Sequence, residues 1–165
     1  MNKAEKIWSM DSEKMRIFLL REIEETGSEW EALIKQHING CQKGKILDVG
    51  CGTGFISLIF AKIGCEVIAI DNNIAMLKAA AKISEELGFL NKITFMLKDA
   101  ESMDFTDNTF DTVVSRHAFW LFNNPKKSLW RVVQNFEIQR LYVELGRQLA
   151  FPFLGRGTSK ALPVR

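Results

Sequence analysis

A short apolar run, KILDV at 45–49, passes straight into Gly50-Cys51-Gly52-Thr53-Gly54 and then into an apolar stretch that ends at Ile63. Glycine reaches backbone angles that a side chain forbids, and it lets a ligand approach the main chain closely. The stretch from Thr53 to Ile63 is apolar on most faces, which predicts a buried helix. A strand, a glycine turn and a buried helix are the opening of a βαβ unit, and few folds begin that way.

The rest of the chain continues the alternation. EVIAI (66–70), ITFML (93–97) and TVVS (112–115) read as further strands. Between the second and third, Ile74, Leu77, Ala81, Ser84 and Leu87 mark one helical face that Gly88 ends. Pro125 opens a further helix through Leu129 and Val133. Strands that alternate with helices imply a parallel sheet with helices on both faces, an α/β doubly wound, Rossmann-like core. Upstream, residues 11–38 repeat apolar positions at helical spacing, from Met15, Phe18, Leu19 and Ile23 to Trp30, Leu33, Ile34 and Ile38. The break at Thr26-Gly27-Ser28 predicts two helices there. We divide the chain, one domain overall, into an N-terminal helical cap (1–40), a ligand-binding core (41–136) and an atypical C-terminal tail (137–165).

Composition excludes several classes. With 47% hydrophobic and 25% charged residues in 165, the chain can bury one substantial core. A formal net charge of +2 with dispersed lysines and arginines argues against a nucleic-acid partner. No apolar run approaches the length of a membrane span, and the first residues carry no apolar signal segment. Cys41, Cys51 and Cys65 form no CxxC pair, and His37 and His117 are isolated. That pattern argues against a disulfide framework or a metal site, and reduced thiols fit the cytoplasm.

Asp48 decides what the glycine turn holds. Glycine turns after a first strand usually cradle phosphate, yet a carboxylate two residues before the first glycine repels one. The dinucleotide pattern G-x-G-x-x-G also fails, because Phe55 stands where its third glycine belongs. A cationic ligand reverses the sign. S-adenosylmethionine carries an ammonium and a sulfonium and no phosphate, and suits both the glycines and the acid.

ILDVGCGTGFIS resembles motif I of the class I S-adenosylmethionine-dependent methyltransferases, including those acting on small molecules. EVIAIDNNIAML, KDAESMDF and FDTVVSRHAFWLFNNP resemble that family's next three segments, in order, so the resemblance covers about residues 40–130. It implies a cofactor site on Asp48, Gly50, Cys51, Gly52, Gly54, Asp71, Asn72, Met76, Asp99, Ala100 and Ser115. Asp48 would hold the methionine end, directly or through water. Asp71, 17 residues after Gly54, would accept from both ribose hydroxyls, although an acid or Asn there is also a favoured helix cap. Asp99 would accept from the adenine amino group, with the Ala100 N–H bonding the ring and Met76 flanking it. Cys51 reads as a small side chain in a tight turn rather than a reactive thiol.

The loop Ser115-Arg116-His117 lies where the methyl would point. Methyl transfer needs orientation first, and a base only if the acceptor loses a proton. His117 is the candidate catalytic base, since an imidazole titrates near neutrality. Arg116 could hold an acidic acceptor or pair with a local acid. Trp8, Trp30, Phe119 and Trp120 are candidates for an acceptor wall, although aromatics are first read as packing.

The resemblance stops near residue 136. The family continues Arg-Val-Leu-Lys-Pro-Gly-Gly into a fifth strand and an antiparallel pair. Here Arg131-Val132-Val133-Gln134-Asn135-Phe136 lacks that turn. Residues 132–149 read either as one long helix or, at RLYVEL (140–145), as a strand. Pro152, Gly155, Gly157 and Pro163 then predict an irregular tail. A sheet that stopped at its fourth strand would leave an apolar edge, which either the C-terminal tail or a second copy in a homo-oligomer could cover. The expected function is methyl transfer to an unidentified small molecule. The alternative is a non-catalytic or truncated cofactor-binding module.

Overall fold

The computed structural model describes residues 12–37, 44–106, 109–118, 140–144 and 149–153. In chain order the elements are α1 (Ser12–His37), β1 (Lys45–Val49), α2 (Phe55–Ile63), β2 (Glu66–Asp71), α3 (Ile74–Glu86), a short 3-10 turn (Leu90–Lys92), β3 (Ile93–Leu97), β4 (Thr112–Arg116), β5 (Arg140–Glu144) and β6 (Leu149–Phe153). They build one sheet in the order β3-β2-β1-β4-β5-β6. Strands β1 to β5 pair in parallel, with Leu47 opposite Ile68 on one side and Val113 on the other. The strand order reverses between β1 and β4. A crevice opens at such a reversal, at the carboxyl ends of the strands, and it is where open α/β sheets take their ligands.

Alternation along β1 separates two cores. Ile46 joins Val67, Ala69, Phe55, Phe60 and Ile83 in the cluster beneath α1, α2 and α3. Leu47 and Val49 join Ile70, Val113, Ala100, Met103 and Phe110 on the opposite face. Among the described residues that second face is covered by the segment after β3, where Phe105 meets Phe110 edge to face. The helix expected after Pro125 lies outside the described residues, as do Trp8, Phe119 and Trp120.

Three expectations are corrected. Residues 12–37 form one helix rather than two. Gly27 is buried against α2, where a Cβ would make ordinary contact with Ile23 at 3.5 Å and Ile59 at 3.6 Å, so the position does not require glycine. Burial of Leu19 and Ile34 of α1 in the core beside α2 offsets the roughly 1 kcal/mol that glycine costs a helix relative to alanine. The Thr26 hydroxyl donates to the Glu22 carbonyl, so it is satisfied within the helix. Second, the buried face of α3 carries Met76, Leu77, Ala79, Ala80, Ile83 and Ser84, whereas Ile74 and Leu87 are exposed. The face is rotated because alanines, small enough to lie against the sheet, define its centre. Gly88 does end the helix, in the left-handed conformation, and Phe89 N–H reaches back to the Ser84 carbonyl.

Third, the sheet does not stop at β4. Arg140–Glu144 takes the strand reading and pairs in parallel with β4 from Thr112↔Arg140 to Arg116↔Glu144. Leu149–Phe153, expected to be irregular from Leu149 onward, is a strand antiparallel to β5. Pro152 is tolerated because β6 is the last strand in the order, where a missing N–H can face outward. Of the two ways to cover the β4 edge, the chain's own C-terminal part supplies the one described. Among the described residues, one antiparallel strand follows β5.

Phe60 sits in the middle of α2 at 1% exposure and is among the largest fully buried side chains. Phe60→Ala is expected to destabilise the chain by about 3–5 kcal/mol, measured as a lower denaturant midpoint in urea.

Candidate functional site

The turn from Gly50 to Gly54 is tied to the end of β2. Gly50 and Cys51 N–H both donate to the Ile70 carbonyl, at 2.8 and 3.0 Å. Gly52 N–H donates to Asp71 Oδ2 at 2.9 Å, and Asn73 N–H to Asp71 Oδ1 at 2.8 Å. Each Asp71 oxygen thus carries one backbone hydrogen bond and keeps further acceptor capacity. The helix-capping role that Asp71 could have filled belongs to Asn73, whose Oδ1 accepts from Ala75 and Met76 N–H. Asn72 is exposed beside it. Burial raises the Asp71 pKa, and N–H donors from Gly52, Asn73 and Asn72 oppose that rise.

All three turn glycines have left-handed φ, at 71°, 55° and 85°. Their surroundings differ. A Cβ on Gly50 would lie 2.3 Å from the Ala118 Cβ, so the loop after β4 rests directly on the turn. Among the described residues, a Cβ on Gly52 would meet nothing within 4 Å. Open space above a main chain that no side chain occupies is what a ligand cradle requires. Gly54 contacts Ala80 and Phe95 instead, so it serves packing under the turn.

Asp48 lies beneath this turn at 1% exposure, and its Oδ2 accepts from the Ser57 hydroxyl at 2.6 Å. Burial is the main reason its pKa rises to about 7, and the Asp71 charge adds to it; Ser57 and Arg116 pull the other way. The sign for stability follows. A carboxyl raised in the folded state favours folding when protonated, and that contribution is lost as pH rises from the ordinary carboxylate range through about 7. A cation brought by a ligand offsets the cost of the ionised form. Burial, with the Asp48 and Asp71 charges, pushes the Cys51 thiol well up, which agrees with reading it as a small turn residue.

The remaining sites divide. Ala100 and Met76 are buried, and Asp99 is exposed two residues beyond the end of β3 rather than on it. Asp99 Oδ1 accepts from Glu101 N–H, an Asx turn that fixes the loop at the strand end. The Ser115 hydroxyl donates to the Val49 carbonyl at 2.8 Å, which ties the end of β4 to the end of β1. His117 is half-buried at φ 57°, left-handed, in the loop that presses on Gly50. Arg116 pairs with Glu22 of α1, and its guanidinium stacks 4.4 Å from the Phe55 ring and 5.2 Å from the Trp30 ring. Of its two expected roles, the pairing with an acid of the chain is formed, with Glu22. Trp30 packs edge-to-face on Phe55 in the core cluster, with Arg116 over it.

Comparison with known proteins agrees with this geometry. The family described as "Methyltransferase domain" matches residues 46–136. The chain belongs to that methyltransferase family. It is 32% identical over 138 residues to the ubiquinone/menaquinone biosynthesis C-methyltransferase of Blochmanniella floridana, covering 82% of this chain and 52% of the relative. The YcgJ protein of Bacillus subtilis superposes with a TM-score of 0.63 at 24% identity, over 70% of this chain and 50% of that one. A SAM-dependent methyltransferase from Aquifex aeolicus gives 0.62 at 22% identity, over 82% and 71%. The chain spans about half the length of the first of these, the curated relative. The fold is that of the class I methyltransferases, as the ordered motifs implied.

Two parts of this candidate site escape sequence reading. Ser57 is the one polar residue in FISLIFA (55–61), and a polar group on a fully buried helix needs a partner. That signal was available. The Glu22–Arg116 pair joins residues 94 apart, and no local pattern announces it. No helix among the described residues is long and apolar enough to cross a membrane.

The glycines generate a paired expectation. Gly50→Ala incurs both the Ala118 overlap and the left-handed strain, and should cost about 2–4 kcal/mol in urea denaturation. Gly52→Ala should cost about 1–2 kcal/mol, from strain alone. Gly50→Ala combined with Ala118→Gly should recover part of the loss.

Proposed function

We propose that the chain is an S-adenosylmethionine-dependent methyltransferase that acts on a small-molecule acceptor. The observation that carries this reading is the pair of carboxylates around a glycine cradle, Asp48 beneath it and Asp71 at its rim, with open space over Gly52. Two acids at one crevice disfavour a dinucleotide pyrophosphate and favour a ligand with cationic and hydroxyl groups. Bound there, S-adenosylmethionine supplies an electrophilic methyl on a sulfonium.

The protein's share of the work is binding and orientation. Asp71 offers free acceptor capacity on both oxygens to the ribose hydroxyls, while its backbone bonds keep it from turning away. Asp48 supplies negative charge under the methionine end. Asp99 and Ala100 at the end of β3, with Met76 and Asn72, form the adenine side. The main chain from Gly50 to Gly54, with Cys51 in it, gives the surface on which the cofactor lies. Ser115 holds the β4 end in register, so His117 meets the acceptor side of the cleft. His117 is the candidate base on that loop, in use only where the acceptor must lose a proton. A small apolar acceptor is supported by relatives named for quinone biosynthesis and, in Yarrowia lipolytica, for sterol 24-C-methylation.

Isothermal titration with S-adenosylmethionine, S-adenosylhomocysteine and NAD tests the reading. The first two are expected to bind and NAD is not; binding of NAD alone overturns it. Asp71→Asn keeps an acceptor but loses the charge, and should weaken cofactor binding about tenfold, because hydrogen bonds to a charged acceptor are worth roughly 1.5–3 kcal/mol. An unchanged dissociation constant contradicts the ribose assignment.

A further inference from the structure

The Ser57–Asp48 contact lies one layer below the cradle and has no part in the assignment above. Both side chains are at or below 1% exposure, and their oxygens are 2.6 Å apart. The pair joins α2 to β1 at the point where β1 enters the glycine turn. The Ser57 backbone N–H also faces the same carboxyl group. A hydrogen bond that short, on a carboxylate removed from water, is of the charge-assisted kind that favours the ionised form.

Resting on the cofactor reading, we propose that Ser57 is a positioning residue: it holds Asp48 oriented toward the cationic methionine end, and Asp48 gives up its proton to solvent as that cation binds. The other charged and titratable groups around Asp48 come from each neighbouring element. Asp71 on β2 opposes its ionisation, and Arg116 on β4, held by Glu22 of α1, assists it. Cys51 in the turn is pushed toward its neutral form by Asp48 and Asp71, after burial.

The consequence is a linkage between pH and cofactor affinity. With Asp48 raised to about 7, the free protein holds it mostly neutral below that pH and ionised above. A cationic ligand prefers the ionised form, so the Asp48 contribution to affinity grows as pH rises and levels off above about 7. Removing the Ser57 hydroxyl takes away a donor that favours the charge, and moves Asp48 further up. The variant therefore needs a higher pH to reach the same charge.

The test is titration of the intact chain with S-adenosylhomocysteine, which keeps the ammonium. At each pH the dissociation constant of Ser57→Ala is divided by that of the wild type, so the ligand's own titration cancels. The ratio is expected to be about tenfold larger near pH 6 than near pH 9, the size of one charged hydrogen bond, and to level off above one where Asp48 is ionised and only its orientation is lost. Ser57→Thr keeps the hydroxyl and should stay close to wild type throughout. A ratio equal at every pH reports packing only and overturns this inference while leaving the cofactor reading intact. Absence of wild-type binding overturns both. A second readout needs no variant. Titration of the wild type near pH 6 in two buffers of different ionisation enthalpy should show release of most of one proton, because the ligand ammonium stays protonated there. Release of none overturns the inference.

Discussion

The site depends on a turn that one strand makes and another strand holds. Gly50, Cys51 and Gly52 each direct a backbone N–H at the end of β2, two to the Ile70 carbonyl and one to the Asp71 carboxylate. Left-handed glycines would otherwise leave those donors free to wander. With them fixed, Asp71 has a set orientation, the space above Gly52 stays open, and α2 starts at a defined height over the sheet. The loop after β4 is placed by the same turn, because Ala118 leaves no room for a side chain at Gly50. One set of backbone contacts therefore aligns both halves of the crevice at the strand-order reversal.

On the proposed reading, charge gives that geometry its selectivity. A glycine turn alone would welcome phosphate. Asp48 and Asp71 invert the local potential, and the inversion is costly to the empty protein. Burying Asp48 raises its pKa to about 7, and Ser57 limits that rise. A site that strains its own carboxyl in this way recovers the cost only from a ligand with positive charge. On the opposite side, Arg116 is taken up by Glu22 and by the Phe55 and Trp30 rings. Its ion pair joins α1 to the end of β4, and its charge also favours the ionised form of Asp48.

Most of the sheet was legible because its signals are local. KILDV, EVIAI and ITFML are short, β-branched and bounded by turn residues, and the strands fall within a residue of those runs. Asp48 and the glycines were legible because a charge conflict in nine residues stands out. Contacts between distant elements were not. Gly27 looked like a helix break, and only the burial of α1 against α2 on either side of it carries the helix through. Leu149–Phe153 looked like a tail because Pro152 reads as a breaker, and only its place at the sheet edge makes it acceptable. Arg116 had two readings that no local pattern could separate, since its acid lies on α1.

A crystal structure of the chain soaked with S-adenosylhomocysteine tests the central claim most directly. The account places the methionine end over Gly50–Gly54 with its ammonium toward Asp48, the ribose hydroxyls on Asp71, and the Asp48–Ser57 contact retained. A ligand bound with its ribose away from Asp71, or lying elsewhere on the molecule with the crevice between β1 and β4 empty, would contradict it.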